Sequence, residues 1–171
     1  DLSRVAMSGH SFGTYTAWAV AGATFDKAAI QAACDAGGVA DCTPERMAVF
    51  ETDLSEKRAK VVVPMAGGRN DFFGEKGYDA AKVPVLLMSG TLDQVGADTL
   101  FADVSGVDLT WVEVDGGCHQ LFGLGNSMLG DAGCKVLPDE EGFAIVNPWV
   151  LAYARYHVLG DESDEVSGIV G

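Results

Sequence analysis

The feature that most constrains this chain is a short apolar run that breaks into a glycine-flanked turn and resumes at once as a small-residue helix. Residues 3–8 read as a buried strand, Gly9-His-Ser-Phe-Gly13 as a turn, and residues 12–22, rich in Ala, as a helix packed tightly on a sheet. The alternation continues along the chain. Residues 61–65, 83–88 and 108–114 are three further apolar strands. Helical patterns occupy 25–33, a stretch beginning at Thr43-Pro44, 97–104 and 141–159. Strands alternating with helices predict an α/β fold: a parallel sheet with helices on both faces.

Several segments are read in more detail. Thr43 caps a helix with Pro44 in its first turn, and Met47, Phe50 and Leu54 fall on one face of it. The last helix draws its apolar surface from Phe143, Ile145, Val146, Trp149, Val150, Tyr153 and Tyr156. Loops are expected at 34–42, 66–77 and 115–138. An acidic tail is expected over 161–171, leaving 1–160 as the body of the chain.

Gly9-His10-Ser11-Phe12-Gly13 fits the pattern G-x-S-x-G in its mechanistic context, between a strand and a helix. The turn strains the backbone of the serine and lifts its hydroxyl above the sheet edge, while glycines on either side avoid collision with neighbouring elements. The helix start places partial positive charge and the Phe12 backbone N–H where an oxyanion would develop. Such a serine needs a base, and the base needs an orienting carboxylate. Three histidines are present. His10 adjoins Ser11, where its side chain diverges from the hydroxyl. His157 lies within the last helix. His119, in Asp115-Gly-Gly-Cys-His119, sits on a glycine-flanked loop directly after a strand and is the expected base. Asp93, after the apolar strand in Leu87-Met-Ser-Gly-Thr-Leu-Asp93, is the expected acid, because carboxyl ends of parallel strands collect such groups. The order Ser11, Asp93, His119 is that of α/β-hydrolases. Asp71, after the preceding strand, is the second candidate; Asp98 and Asp115 read as helix-start and turn residues. Trp18, Phe72, Phe73 and Phe122 are either pocket residues or ordinary core.

The formal charge of −14 repels phosphate backbones and argues against a nucleic-acid partner. Hydrophobic residues at 48% and charged residues at 21% exclude disorder as the ground state. No apolar run approaches the ~18 residues of a membrane-spanning helix. Cys34, Cys42, Cys118 and Cys134 allow three pairings. The nearest in sequence are Cys34–Cys42 and Cys118–Cys134, and the second would anchor the loop that carries His119. Two local disulfides would place the protein in an oxidising compartment, secreted or periplasmic; four free thiols would place it in the cytosol. No CxxC or HxxxH spacing suggests a metal.

From Arg4 to about Leu159 the chain resembles the C-terminal half of bacterial dienelactone-hydrolase-like and platelet-activating-factor-acetylhydrolase-like serine hydrolases, and is similar to bacterial polyester hydrolases. The matching pieces are the GHSFG turn, VPVLLMSGTLD, the GGCH loop and the closing AYARYHVLGD. The resemblance implies a serine esterase of the α/β-hydrolase fold with nucleophile Ser11, acid Asp93, base His119 and the Phe12 N–H as oxyanion donor, and no cofactor. It leaves ester, amide, lactone and peptide substrates open, as well as a non-catalytic relative kept for binding. Thr14 departs from the family pattern, which often has a second glycine there. The interval from Ser11 to Asp93 is too long for one crossover helix, so residues 24–60 are expected to form a small cap. The family's first strands, and the loop that supplies a second oxyanion donor, have no counterpart here. The N-terminal half of the sheet is therefore expected from a separate chain or an omitted segment.

Overall fold

The computed structural model describes residues 2–39, 41–125 and 137–171. Among the described residues, four strands form one sheet: β1 (Val5–His10), β2 (Ala59–Met65), β3 (Val85–Gly90) and β4 (Leu109–Val114). Their spatial order follows their order in the chain, and all three pairings are parallel. The protein is thus of the α/β class.

Strands buried on both faces need apolar residues at successive positions, and β2 and β3 have them. Val62, Val85 and Leu87 face one core with Trp18, Phe73, Tyr78 and Leu100. Val61, Val63, Leu86 and Met88 face another with Leu121, Val146 and Tyr153. The first layer is built by α1 (Gly13–Ala21) and α4 (Ala97–Asp103), the second by α5 (Asp139–Ala154). The edge strand β1 is less covered, and its Ala6 and Ser8 are exposed.

Between α1 and β2 lie α2 (Lys27–Asp35) and α3 (Pro44–Val49), so 24–60 contains two helices. Asp26 caps α2 by accepting from the Ala28 and Ala29 N–H groups, and Thr43 caps α3 through the Arg46 N–H. The sulfurs of Cys34 and Cys42 are at disulfide distance, 2.06 Å. Cys118 is buried; Cys134 lies outside the described residues, and so does the Cys118–Cys134 pairing.

Boundaries differ from the sequence reading where tertiary pairing overrides local pattern. β1 runs on to His10 rather than ending at Ser8, because its register with β2 continues from Ala6↔Val61 to His10↔Met65. Helix α3 stops at Val49, leaving Leu54 outside it and exposed. The final helix widens into a π-type turn over Arg155–Leu159, and Ile145 and Leu151 point to solvent. Residues beyond Gly160 are not simply a tail: α6 (Asp164–Val170) packs on α5 with Val166 buried, and Arg155 ties the two together through Asp161 and Glu165. Among the described residues no helix is long and apolar enough to cross a membrane.

Candidate active site

The site is assembled where β1, β3 and the loop after β4 end on the same side of the sheet. Ser11 follows β1 directly and holds a left-handed backbone, φ 57°. A residue with a Cβ adopts that region only where its surroundings enforce it. Here the Ser11 N–H donates to the Met65 carbonyl at 3.0 Å and the Ser11 carbonyl accepts from the Thr14 N–H at 2.9 Å. Gly9 is required because a Cβ there would strike the Gly13 carbonyl. Phe12 occupies the start of α1, whose first N–H groups lack intrahelical partners, and its ring is 84% exposed.

Thr14 is fully buried, and its hydroxyl donates to the Met65 carbonyl at 2.9 Å. Gly67 makes room for it: a Cβ on Gly67 would lie 2.5 Å from the Thr14 hydroxyl.

Asp93 ends the turn after β3, held by its N–H to the Gly90 carbonyl at 3.0 Å. The loop carrying His119 is laced to that turn. The Leu92 N–H donates to the Gly117 carbonyl, the Gly116 N–H to the Thr91 hydroxyl, and the Thr91 hydroxyl to Asp115. His119 opens a 3₁₀ turn, His119–Phe122, anchored by buried Leu121 and Phe122.

These three elements bring Ser11, Asp93 and His119 together. His119 Nδ1 lies 3.0 Å from Asp93 Oδ1, and Nε2 lies 2.9 Å from Ser11 Oγ. A carboxylate only accepts, so Nδ1 carries the proton and Nε2 is left to accept from the serine hydroxyl. The Asp93 side chain is 5% exposed, and its second oxygen has no hydrogen-bond partner among the described residues. The arrangement can move the serine proton onto the imidazole while the buried carboxylate stabilises the resulting cation.

The other candidates lie elsewhere. Asp71 opens a 3₁₀ turn after β2, and His119 Nδ1 pairs with Asp93 instead. Asp98 falls in the first turn of α4 and Asp115 braces Thr91. His157 belongs to the π-type turn, where its carbonyl accepts from Arg4 and burial lowers its pKa. Burial likewise raises that of the Tyr78 hydroxyl, which accepts from the Asn70 N–H.

The cleft over Ser11 and His119, of about 290 Å³, is walled by Phe12, Tyr15, Ala66, Gly67, Gly68 and Val95. Trp18, Phe73 and Phe122 are instead core, and Phe72 packs against Phe50. None of the four lines the cleft, and neither does any described residue of 24–60. The Phe12–Tyr15 pair, the cap and the third residue of the helix after the serine, was a legible signal for the wall; Val95 and the two glycines come from other loops. A larger cleft, about 540 Å³, opens between α5 and α6, away from these groups. Among the described residues no group of three or more His, Cys, Asp and Glu is placed to hold a metal.

In comparisons with protein-family models, curated proteins and solved structures, nothing matches this chain.

Proposed function

We propose that this chain is the catalytic portion of a serine hydrolase of the α/β-hydrolase type that cleaves carboxylic esters. The observation that carries the reading is His119 bridging Ser11 Oγ and Asp93 Oδ1 at 2.9 and 3.0 Å. In this reading Nε2 takes the serine proton as Oγ bonds to the acyl carbon. The carbonyl oxygen becomes an oxyanion facing the Phe12 N–H. The C–O bond then breaks, and the departing alcohol takes the proton from Nε2. Water repeats the sequence on the acyl-enzyme and returns the serine. Each proton moves between the substrate, water and these side chains, so the reaction needs no cofactor.

Among the described residues, the walls of the cleft carry no Asp, Glu, Lys or Arg side chain, which favours a neutral acyl group. Amides, lactones and peptides use the same nucleophile and base and form the second reading. The Cys34–Cys42 pair supports a secreted or periplasmic setting. The outer edge of β1, which pairs only with β2 among the described residues and exposes Ala6 and Ser8, would take a further strand. We assign that strand, and a second oxyanion donor, to the N-terminal half of the same hydrolase.

Turnover of a p-nitrophenyl ester, with fluorophosphonate labelling and peptide mapping, tests the proposal. Label on Ser11 and loss of turnover in Ser11→Ala are expected; full activity in that variant would refute it. Matched ester, lactone and anilide substrates separate the two readings.

A further inference from the structure

His10 diverges from the Ser11 hydroxyl, and its ring goes to the other partner. Successive side chains in a strand alternate sides, but the left-handed backbone at Ser11 breaks the alternation at the last step. His10 Nε2 lies 2.7 Å from the backbone carbonyl of His119, and the two imidazole rings are 4.9 Å apart between centroids. A carbonyl only accepts, so Nε2 of His10 carries the proton and donates. The edge of the same ring rests on Gly123, where a Cβ would lie 3.0 Å from Nδ1 and 3.1 Å from Cε1. The loop that carries His119 has thus left room for this ring on its far side.

Two consecutive residues therefore hold His119 at two points. Ser11 meets the ring at Nε2, 2.9 Å away, and His10 meets the main chain of the same residue. A ring held only through its own side-chain hydrogen bonds can rotate about its Cα–Cβ bond with the loop. One whose carbonyl is also fixed to the strand bearing the serine cannot leave that strand without breaking both contacts. Positional errors of about 1 Å in such a group cost on the order of 100-fold in rate.

We propose that His10 is a positioning residue that clamps the His119 main chain to the Ser11 turn and thereby sets the Nε2–Oγ distance. The proposal rests on the reading of Ser11, His119 and Asp93 as the catalytic groups. His10 does not line the cleft over Ser11, and its side-chain hydrogen bond goes to the His119 carbonyl, so that bond reaches the site through His119.

Two replacements of His10 in the complete protein separate the hydrogen bond from packing. His10→Phe keeps a ring against Gly123 but has no donor. His10→Gln lacks the ring but carries an amide N–H at a reach similar to Nε2. With a p-nitrophenyl ester, His10→Phe is expected to lower kcat by about 10- to 100-fold with KM within about twofold. His10→Gln should stay within about threefold of the parent kcat. The rate of fluorophosphonate labelling, which also needs the base, should fall and recover in parallel. A filler of space would show the opposite order, with His10→Phe active and His10→Gln impaired. That order, or equal kcat in all three proteins, overturns the proposal. Ser11→Ala run alongside distinguishes the two levels. If it stays active, the hydrolase reading itself fails; if it is inactive while His10→Phe matches the parent, only the role of His10 does.

Discussion

Gly90 and Gly117 meet backbone to backbone beneath the site: a Cβ on Gly90 would collide with the Gly117 carbonyl. Gly90 is the last residue of β3, three before Asp93, and Gly117 lies two before His119. This contact sets how closely the carboxylate and imidazole loops approach. Gly90→Ala should therefore destabilise by about 1–3 kcal/mol, as overpacking does. Ester turnover should fall further than that loss explains at temperatures where the variant is still folded. Urea midpoints beside specific activity check this; a variant with parent activity would show that the loops tolerate separation.

Asp93→Asn should lose far more activity than Asp71→Asn. Asp93 sits 3.0 Å from His119 Nδ1, whereas Asp71 opens a turn after β2. An amide in place of the orienting carboxylate favours the wrong imidazole tautomer, a loss on the order of 10⁴-fold in kcat. Steady-state kinetics of the two variants decide it, and a larger loss in Asp71→Asn would move the acid to the earlier strand.

Thr14 and Gly67 should behave as a coupled pair. Gly67→Ala alone presses its Cβ into the Thr14 side chain, while Thr14→Gly alone removes a buried hydroxyl that serves the Met65 carbonyl. In the double variant the methyl group occupies vacated space. A double-mutant cycle on urea midpoints should return a favourable coupling of about 1–3 kcal/mol. Strict additivity would mean that the loop after β2 relaxes away from α1.

Loss of the Cys34–Cys42 pair alone should act on the α2–α3 segment more than on the Ser11 cleft. The Cys34–Cys42 pair spans a separation of 8 residues, so its removal by Cys34→Ser and Cys42→Ser should cost about 2–3 kcal/mol. No described residue of 24–60 lines the cleft, so turnover at 25 °C should change little. Thermal scans and activity of the double variant report the two effects separately.

His157 gives the stability a pH dependence of known sign. Burial lowers its folded pKa below the reference value of 6.5. The unfolded chain therefore binds a proton first as pH falls. Stability is complete above about pH 6.5 and declines below it, down to the folded pKa. The carboxylates held low, such as Glu56 at about 2 beside Arg58, keep their full stabilising contribution above the reference value of 4.5 and lose it only as pH falls below that. Comparing urea midpoints at pH 7.5 and 5.5, the parent should lose more stability than His157→Gln. Equal losses would place the dependence elsewhere.

The continuous apolar runs around Val62 and Leu87, separated by helical patterns, were enough to read an α/β fold with a parallel sheet. The choice of Asp93 over Asp71 was legible in part, since both follow apolar strands in the same chain order and only the resemblance of VPVLLMSGTLD favoured Asp93. The helix after Gly160 was hidden behind acidic residues. Its one deeply buried position, Val166, gains meaning only when α5 is beneath it. Trp18, Phe73 and Phe122 looked equally fit for pocket or core, because aromatic residues serve either and their burial depends on neighbours distant in sequence.

The sequence by itself determined the strand–turn–helix unit at Ser11, since glycines and a serine at fixed spacing between a strand and a helix leave few backbone solutions. It also determined the alternation that makes the sheet parallel. Only the tertiary structure decided that His119 reaches both Asp93 and Ser11, that His10 grips the His119 main chain, and that Gly67 yields to Thr14. These contacts join residues 26, 108, 109 and 53 positions apart in the chain. No local pattern encodes them, because such distances close only when the register of the four strands brings their ends to one edge.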